Sequence, residues 1–166
     1  MRYLPIIILT ILTIGIFSFQ DSSLKKYHNK SNKYICYYPS FMSMGPPSQS
    51  GDGRNFYNSD SSFTLGIYRT TNFNGYEEAY KSRKNYFEND GGKITYKVFK
   101  ENWYVISGLY PDSTIYYAKQ INRPNDEHQF EAVFIVLRYP YSEREKYNKY
   151  CSIIPESLEF VGLEEQ

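Results

Sequence analysis

The sequence predicts an α+β domain with a central antiparallel β-sheet flanked by helices. Three observations carry this reading. Seven short β-rich runs follow one another, several of them separated by turn residues short enough for hairpins. One helical segment is inserted between the strands and a second closes the chain. The run "AVFIVL" at residues 132–137 is apolar throughout, so it needs cover on both faces.

The elements can be justified in chain order. Residues 1–19, "MRYLPIIILTILTIGIFSF", combine Arg2 with an apolar run over 4–19. A spanning helix needs roughly 20 apolar residues, so this stretch fits a secretory signal peptide better than a membrane span. Cleavage is expected after Ser18, and an uncleaved segment would act as an anchor. No cysteine follows the run, so a lipid anchor is not supported. Residues 20–32 are polar and predict a tether. The folded part, expected over 33–162 with a tail at 163–166, starts at "KYICYYP". A breaker-rich loop, "FMSMGPPSQSGDG", leads to the strands "RNFYNS" and "SFTLGIYRT".

Next comes a helix. Asn74 with Glu77 has capping-box spacing, and Tyr76, Ala79, Tyr80, Arg83 and Phe87 share one face. Gly91 and Gly92 end it, because glycine accepts a left-handed cap. "KITYKVFK" places Ile94, Tyr96 and Val98 on one strand face, and "WYVISGLY" follows within hairpin distance. "STIYYAKQI" comes after a turn at Pro111 and Asp112, and "FEAVFIVLRYP" is the last long strand. The final helix opens on Ser142 and Glu145, a second capping box, and Pro155 ends or kinks it near Ile154. "SLEFVG" then packs through Leu158 and Phe160.

The bulk composition excludes several functions. The 19 basic and 18 acidic residues nearly cancel. A nucleic-acid binder driven by phosphate neutralisation needs a basic patch, and none is legible. The chain is 41% hydrophobic and 19% aromatic, too apolar for disorder. Its 19 Tyr suit strands and would also suit a stacking surface. No internal repeat or interdomain linker is visible.

Motifs for chemistry are absent. The two histidines, His28 and His128, have no H-E-x-x-H or His/Cys setting, so neither a metal nor a cofactor is implied. The loop "SGDGRNFYNSD" fails the EF-hand alternation, and Arg54 would stand where a cation must sit. It also lacks the Lys-Ser/Thr of a P-loop. Turn chemistry remains, with Asp52-Gly53 feeding a strand and Arg54 placed to pair with Asp52 or Asp60. Ser107 lies outside any nucleophile elbow, and no carboxylate pair is singled out. Trp103, the single tryptophan, is either sheet packing or a contact platform. Cys36 and Cys151 stand near opposite ends of the mature chain, where export would permit a disulfide. Two buried small hydrophobes is the other reading.

"GDGRNFYNSD", "ITYKVFKENWYVISG", "IYYAK", "LRYP" and "YNKYCSIIPES" occur in that order. On these motifs the chain resembles a family of small exported bacterial proteins whose members carry "NGDGR-F-S-DG", "VTY…NWFVVSG", "FYRK" and "L-YP…Y…I…SF". That family is similar to the PsbP-like α/β/α fold of photosystem II extrinsic subunits and of a nuclear-import factor that binds a small GTPase. The resemblance covers residues 34–160. Ser50 stands where many relatives have Asn, Pro155 lies inside the final helix, and neither cysteine belongs to the pattern.

The resemblance implies a central antiparallel sheet with helices on both faces. It also implies binding or assembly rather than catalysis, and it brings no catalytic residue. Fold alone does not decide function. The resulting expectation is a non-catalytic, exported, periplasmic or extracellular domain that recognises a protein partner or a small ligand. No oligomer and no nucleic-acid partner are expected. Contact residues are expected around Asp52, Arg54 and Trp103, since aromatic and arginine side chains anchor interfaces. Two alternatives stand beside it: an envelope-acting hydrolase with carboxylates in a sheet-face cleft, and a secreted chaperone for a single client.

Overall fold

The computed structural model describes residues 23–72, 75–124 and 130–161. The expected signal segment, Asn74, His128 and the tail lie outside them. The strands are β1 (Leu24–Asn29), β2 (Tyr34–Pro39), β3 (Ser43–Pro47), β4 (Gly53–Tyr57), β5 (Thr64–Asn72), β6 (Lys93–Phe99), β7 (Trp103–Leu109), β8 (Thr114–Pro124), β9 (Phe130–Pro140) and β10 (Glu159–Phe160). The helices are α1 (Tyr76–Asn89), α2 (Arg144–Tyr147) and α3 (Tyr150–Glu156), with a 3-10 turn at Tyr141–Glu143 ahead of α2. Seven strands form one antiparallel sheet in the order β3-β4-β5-β9-β8-β7-β6, and β1-β2-β10 form a second, smaller one.

The large sheet has a core on each face. On one face Leu65, Ile67, Ile135 and Leu137, with Phe56 of β4 and Phe63 of the β4–β5 turn, pack against the small sheet and the C-terminal helices, through Tyr34 and Tyr150 among others. On the other face Phe87 of α1 packs with Tyr104, Ile106, Tyr116 and Ala118. Gly108 makes that contact close, since a Cβ there would lie 2.7 Å from the Phe87 ring. The apolar run of β9 is therefore covered on both sides. The cover differs from expectation, because one face meets a small sheet as much as helices. Strands dominate the fold more than a sheet flanked by helices suggests.

Turn chemistry closes the hairpins. Asn58 Oδ1 accepts from the Phe63 N–H at 2.9 Å, and Asp60 Oδ1 accepts from Ser62 N–H at 3.0 Å. Asp112 Oδ1 accepts from Thr114 N–H at 2.9 Å, beside Ser113 at φ 65°. The Asp60 and Asp112 contacts are Asx turns, in which a short side chain replaces a backbone acceptor.

Several expectations need correction. The polar segment expected as a tether contains β1, paired along its length with β2. Only Tyr27 and Asn29 point inward, so composition hid the strand. The breaker-rich loop contains β3, an edge strand where the prolines need not donate to a neighbour on both sides. The Ser142 capping box does not form, because residues 141–143 wind as a 3-10 turn and the helix starts at Arg144 with no side-chain cap. Pro155 does not end α3, which runs to Glu156. Its position in the last turn limits the loss to one backbone hydrogen bond, and Lys119 Nζ donates to its carbonyl at 3.2 Å.

The disulfide is also corrected, since Cys36 and Cys151 are both free. The Cys36 Sγ faces the end of α3, 3.6 Å from Ser157 Oγ and 3.7 Å from the Ile154 carbonyl. The Cys151 Sγ, one turn earlier, turns to the Tyr139 hydroxyl at 3.1 Å. The two thiols belong to different contacts.

Candidate functional site

The face that carries the C-terminal helices is only half covered. The register aligns Leu65, Leu137, Tyr117, Ser107 and Tyr96 in one row across β5, β9, β8, β7 and β6. Leu65 and Leu137 are fully buried, Tyr117 and Ser107 are half-buried, and Tyr96 is 56% exposed. The neighbouring row runs Ile135, Lys119, Val105, Val98. So the small sheet and the helices roof β5 and β9, while the face beyond them is open around Tyr96, Ser107 and Tyr117, with Val105 still buried.

A cleft of about 420 Å³ forms where this open half meets the roof. Tyr96, Ser107 and Tyr117 make its floor, and Tyr139, Tyr141 and Cys151 its wall. Tyr141 is 48% exposed and Ile153 stands exposed on α3 nearby in the chain. A β-bulge creates the floor. The register shifts between Ile94 and Tyr96, so Ile94 opposes Gly108 on the α1 side, whereas Tyr96 opposes Ser107 on the cleft side. One extra residue, Thr95, reverses the face of Tyr96 and Val98 beyond it. Simple alternation put Ile94, Tyr96 and Val98 together, and the bulge separates the first from the other two.

The cleft's lining is uncharged and includes four tyrosines. No carboxylate and no histidine lines it. Burial raises the Cys151 thiol above its ordinary value, with the Tyr139 hydroxyl acting the other way. A thiol held protonated is a poor nucleophile. Tyr117 and Tyr139 are likewise held neutral, first by burial and then by their neighbours. At the far end, Lys119 Nζ lies 5.6 Å from the Trp103 ring centroid while bonded to the Pro155 carbonyl. Among the described residues no group of three His, Cys, Asp or Glu could hold a metal ion. His28 is exposed on β1.

The residues singled out by sequence do not form one surface. Trp103 opens β7, and Asp52 and Arg54 flank the start of β4. Four strand spacings separate β4 from β7, about 19 Å. Trp103 borders the open half-face. The Asp52 carbonyl accepts from the Tyr34 hydroxyl and from Arg69 N–H, both at 2.9 Å, and its carboxylate accepts from Ser48 Oγ. Arg54 pairs with neither Asp52 nor Asp60, and its Nη1 donates to the Gly45 carbonyl at 2.8 Å. The "GDGR" stretch therefore joins β1, β2, β3 and β5 in a structural knot. The residues that sequence reasoning missed are Tyr96, Tyr117 and Tyr141. For Tyr96 and Tyr117 the only signal was tyrosine within a strand, and Tyr141 lies in the 3-10 turn after β9.

No protein-family model matches the sequence, and a sequence comparison with curated proteins finds no match. Solved structures do match. Cyanobacterial PsbP from Synechocystis sp. PCC 6803 superposes with a TM-score of 0.60 at 11% identity, over 86% of this chain and 95% of that one. The Ran-binding protein Mog1p of Saccharomyces cerevisiae gives 0.57 at 8% identity, over 84% and 96%. LpqN of Mycobacterium tuberculosis, involved in cell envelope biogenesis, gives 0.58 at 9% identity, over 87% and 88%. The chain has a PsbP-like fold. At these identities the likeness concerns fold.

Proposed function

We propose that this protein is a non-catalytic binding domain, exported to the cell envelope or beyond, that receives a protein partner on the open half of its large sheet. One observation carries the reading. The row from Leu137 to Tyr96 continues the core pattern past the roof, leaving tyrosines around a cleft that holds no catalytic group. Tyrosine offers large contact area with little side-chain entropy to lose, which suits an interface. The fold shared with a Ran-binding protein and with an envelope-biogenesis protein supports binding or assembly. Export rests on the apolar run at residues 4–19, and the envelope role of LpqN agrees with it. No helix among the described residues is long and apolar enough to cross a membrane.

Photo-crosslinking tests this. A benzoylphenylalanine placed at Tyr96 of the exported protein should yield one dominant adduct in envelope extracts. The same probe at Tyr86, exposed on α1 over the other face, should not. Equal adducts from both positions, or none from Tyr96, would sink the proposal. The hydrolase alternative gains nothing from the cleft, whose lining carries no acid.

A further inference from the structure

The opposite face of the large sheet carries a second hollow. The row Asn55, Gly66, Val136, Ala118 crosses β4, β5, β9 and β8 on the α1 side. Gly66 stands at its centre without a side chain. A Cβ there would lie 3.1 Å from Asn55 Oδ1 and from the Tyr68 ring, so the glycine keeps the floor low. Tyr68 and Phe134, directly paired on β5 and β9, stack at 5.6 Å with an interplanar angle of 25° and make one flat wall. Arg83 reaches over from α1, its guanidinium 4.6 Å from the Phe134 centroid. Arg138 closes the other end, 5.5 Å from the Tyr116 centroid. The groove measures about 350 Å³.

Its two arginines differ from Arg54, Arg69 and Arg144. Arg69 pairs with Glu131, Arg144 with Glu145, and Arg54 donates to a carbonyl. Arg83 and Arg138 form no ion pair among the described residues, and no carboxylate lines the groove. Asp90 and Asp112 border the adjoining hollow, beyond Arg138. Both guanidiniums act on Tyr116, whose hydroxyl lies beneath the groove. It is fully buried and has no partner of hydrogen-bonding geometry, although Arg83 approaches it. The neighbouring Tyr104 hydroxyl is satisfied by Gln120 Oε1 at 2.9 Å. Two guanidiniums without an ion pair thus share a groove whose own acceptors, at Asn55, Thr64 and Tyr86, are neutral. An anion is the partner that two such guanidiniums lack, and the groove offers it room beside an aromatic wall.

We propose that this groove binds a small aromatic oxyanion, with its carboxylate or phosphate between Arg83 and Arg138 and its ring along the Tyr68–Phe134 wall. Guanidinium forks match the geometry of both anions. The volume sits at the small end of ligand sites, roughly 300–1,000 Å³, which fits a single-ring molecule. The site lies across the sheet from the tyrosine cleft, so the two proposals stand or fall separately.

Titration of the labelled protein followed by NMR tests it, with phenyl phosphate, benzoate, inorganic phosphate and neutral benzyl alcohol as probes. Phenyl phosphate or benzoate should shift the amides of Gly66, Tyr68 and Phe134 saturably, and inorganic phosphate should bind more weakly. Arg83→Gln and Arg138→Gln should each weaken binding about tenfold or more, as for loss of a charged hydrogen bond. Gly66→Val, which fills the floor and spares both arginines, should do the same. Thermal melts of each variant establish that the fold persists. The proposal is overturned if neither aromatic anion gives saturable shifts, if benzyl alcohol or inorganic phosphate matches them, or if a folded arginine variant binds as the wild type does.

Discussion

Asn29→Ala should destabilise the protein by about 2 kcal/mol. Asn29 is 8% exposed at the end of β1. Its Oδ1 accepts from the Asn32 N–H at 3.1 Å, and its Nδ2 donates to the Gly51 carbonyl at 3.0 Å. Two longer contacts at 3.3 Å reach the Tyr27 and Tyr34 hydroxyls. Alanine removes all of these. The two shorter bonds are worth about 1 kcal/mol each, and the longer ones add little. For a domain of this size the melting temperature should fall by about 4–8 °C. Urea unfolding of the mature chain measures the loss directly. His28→Ala, on the exposed side of the same strand, should change stability by less than about 0.5 kcal/mol. If Asn29→Ala proved as silent as His28→Ala, residues 24–29 would be a tether after all, and the small sheet would lose its outer strand.

Three further outcomes rest on named contacts. Arg54→Ala should cost about 1 kcal/mol, the value of its bond to the Gly45 carbonyl; the loss should persist in high salt, whereas an ion pair with Asp52 would be screened, and urea melts at two salt concentrations decide. Gly108→Ala should cost roughly 1–3 kcal/mol, because its Cβ would lie 2.2 Å from the Lys93 carbonyl of β6 and 2.7 Å from the Phe87 ring; denaturation measures this, and a neutral result would show that β6 and α1 do not both press on Gly108. Stability should also fall as pH rises above about 9. Burial pushes the Cys36 thiol from 9.0 up to about 12 and the Tyr110 phenol from 10.0 to about 12, and raises Tyr34 and Tyr139 in the same direction. The folded state then holds protons that the unfolded state releases, so this stability is complete below the unfolded values and is lost toward the folded ones. Melting temperatures at pH 7, 9 and 10.5 should descend, and a flat profile would refute the burial of these groups.

Much of the fold was legible because it rests on local rules. β5 and β7 to β9 showed as β-branched and aromatic runs bounded by Asn, Asp, Gly and Pro. α1 showed as Ala79, Tyr80, Arg83 and Phe87 on one stripe, stopped by Gly91 with φ 82°. β1 was hidden because its pairing comes from the backbone, with just Tyr27 and Asn29 to mark the inner face. β3 was hidden because prolines at an edge read like those of a loop. The Ser142 box failed because Pro140 leads into a 3-10 turn that shifts the helix start. Among the candidate contact residues, Trp103 does border the open half-face, while Asp52 and Arg54 serve the turn they sit in.

By itself the sequence determined an α+β chain of antiparallel strands with helices inserted and appended, little net charge and no catalytic or metal-binding motif. Those features come from composition, periodicity and short spacings, which involve neighbours along the chain. Tertiary structure alone decided which half of the sheet is roofed, that Thr95 bulges and sends Tyr96 to the open side, that the two thiols face different partners, and that Arg83 and Arg138 meet across Gly66. Each of these depends on strands far apart in sequence lying side by side in one register, and no local pattern encodes that register.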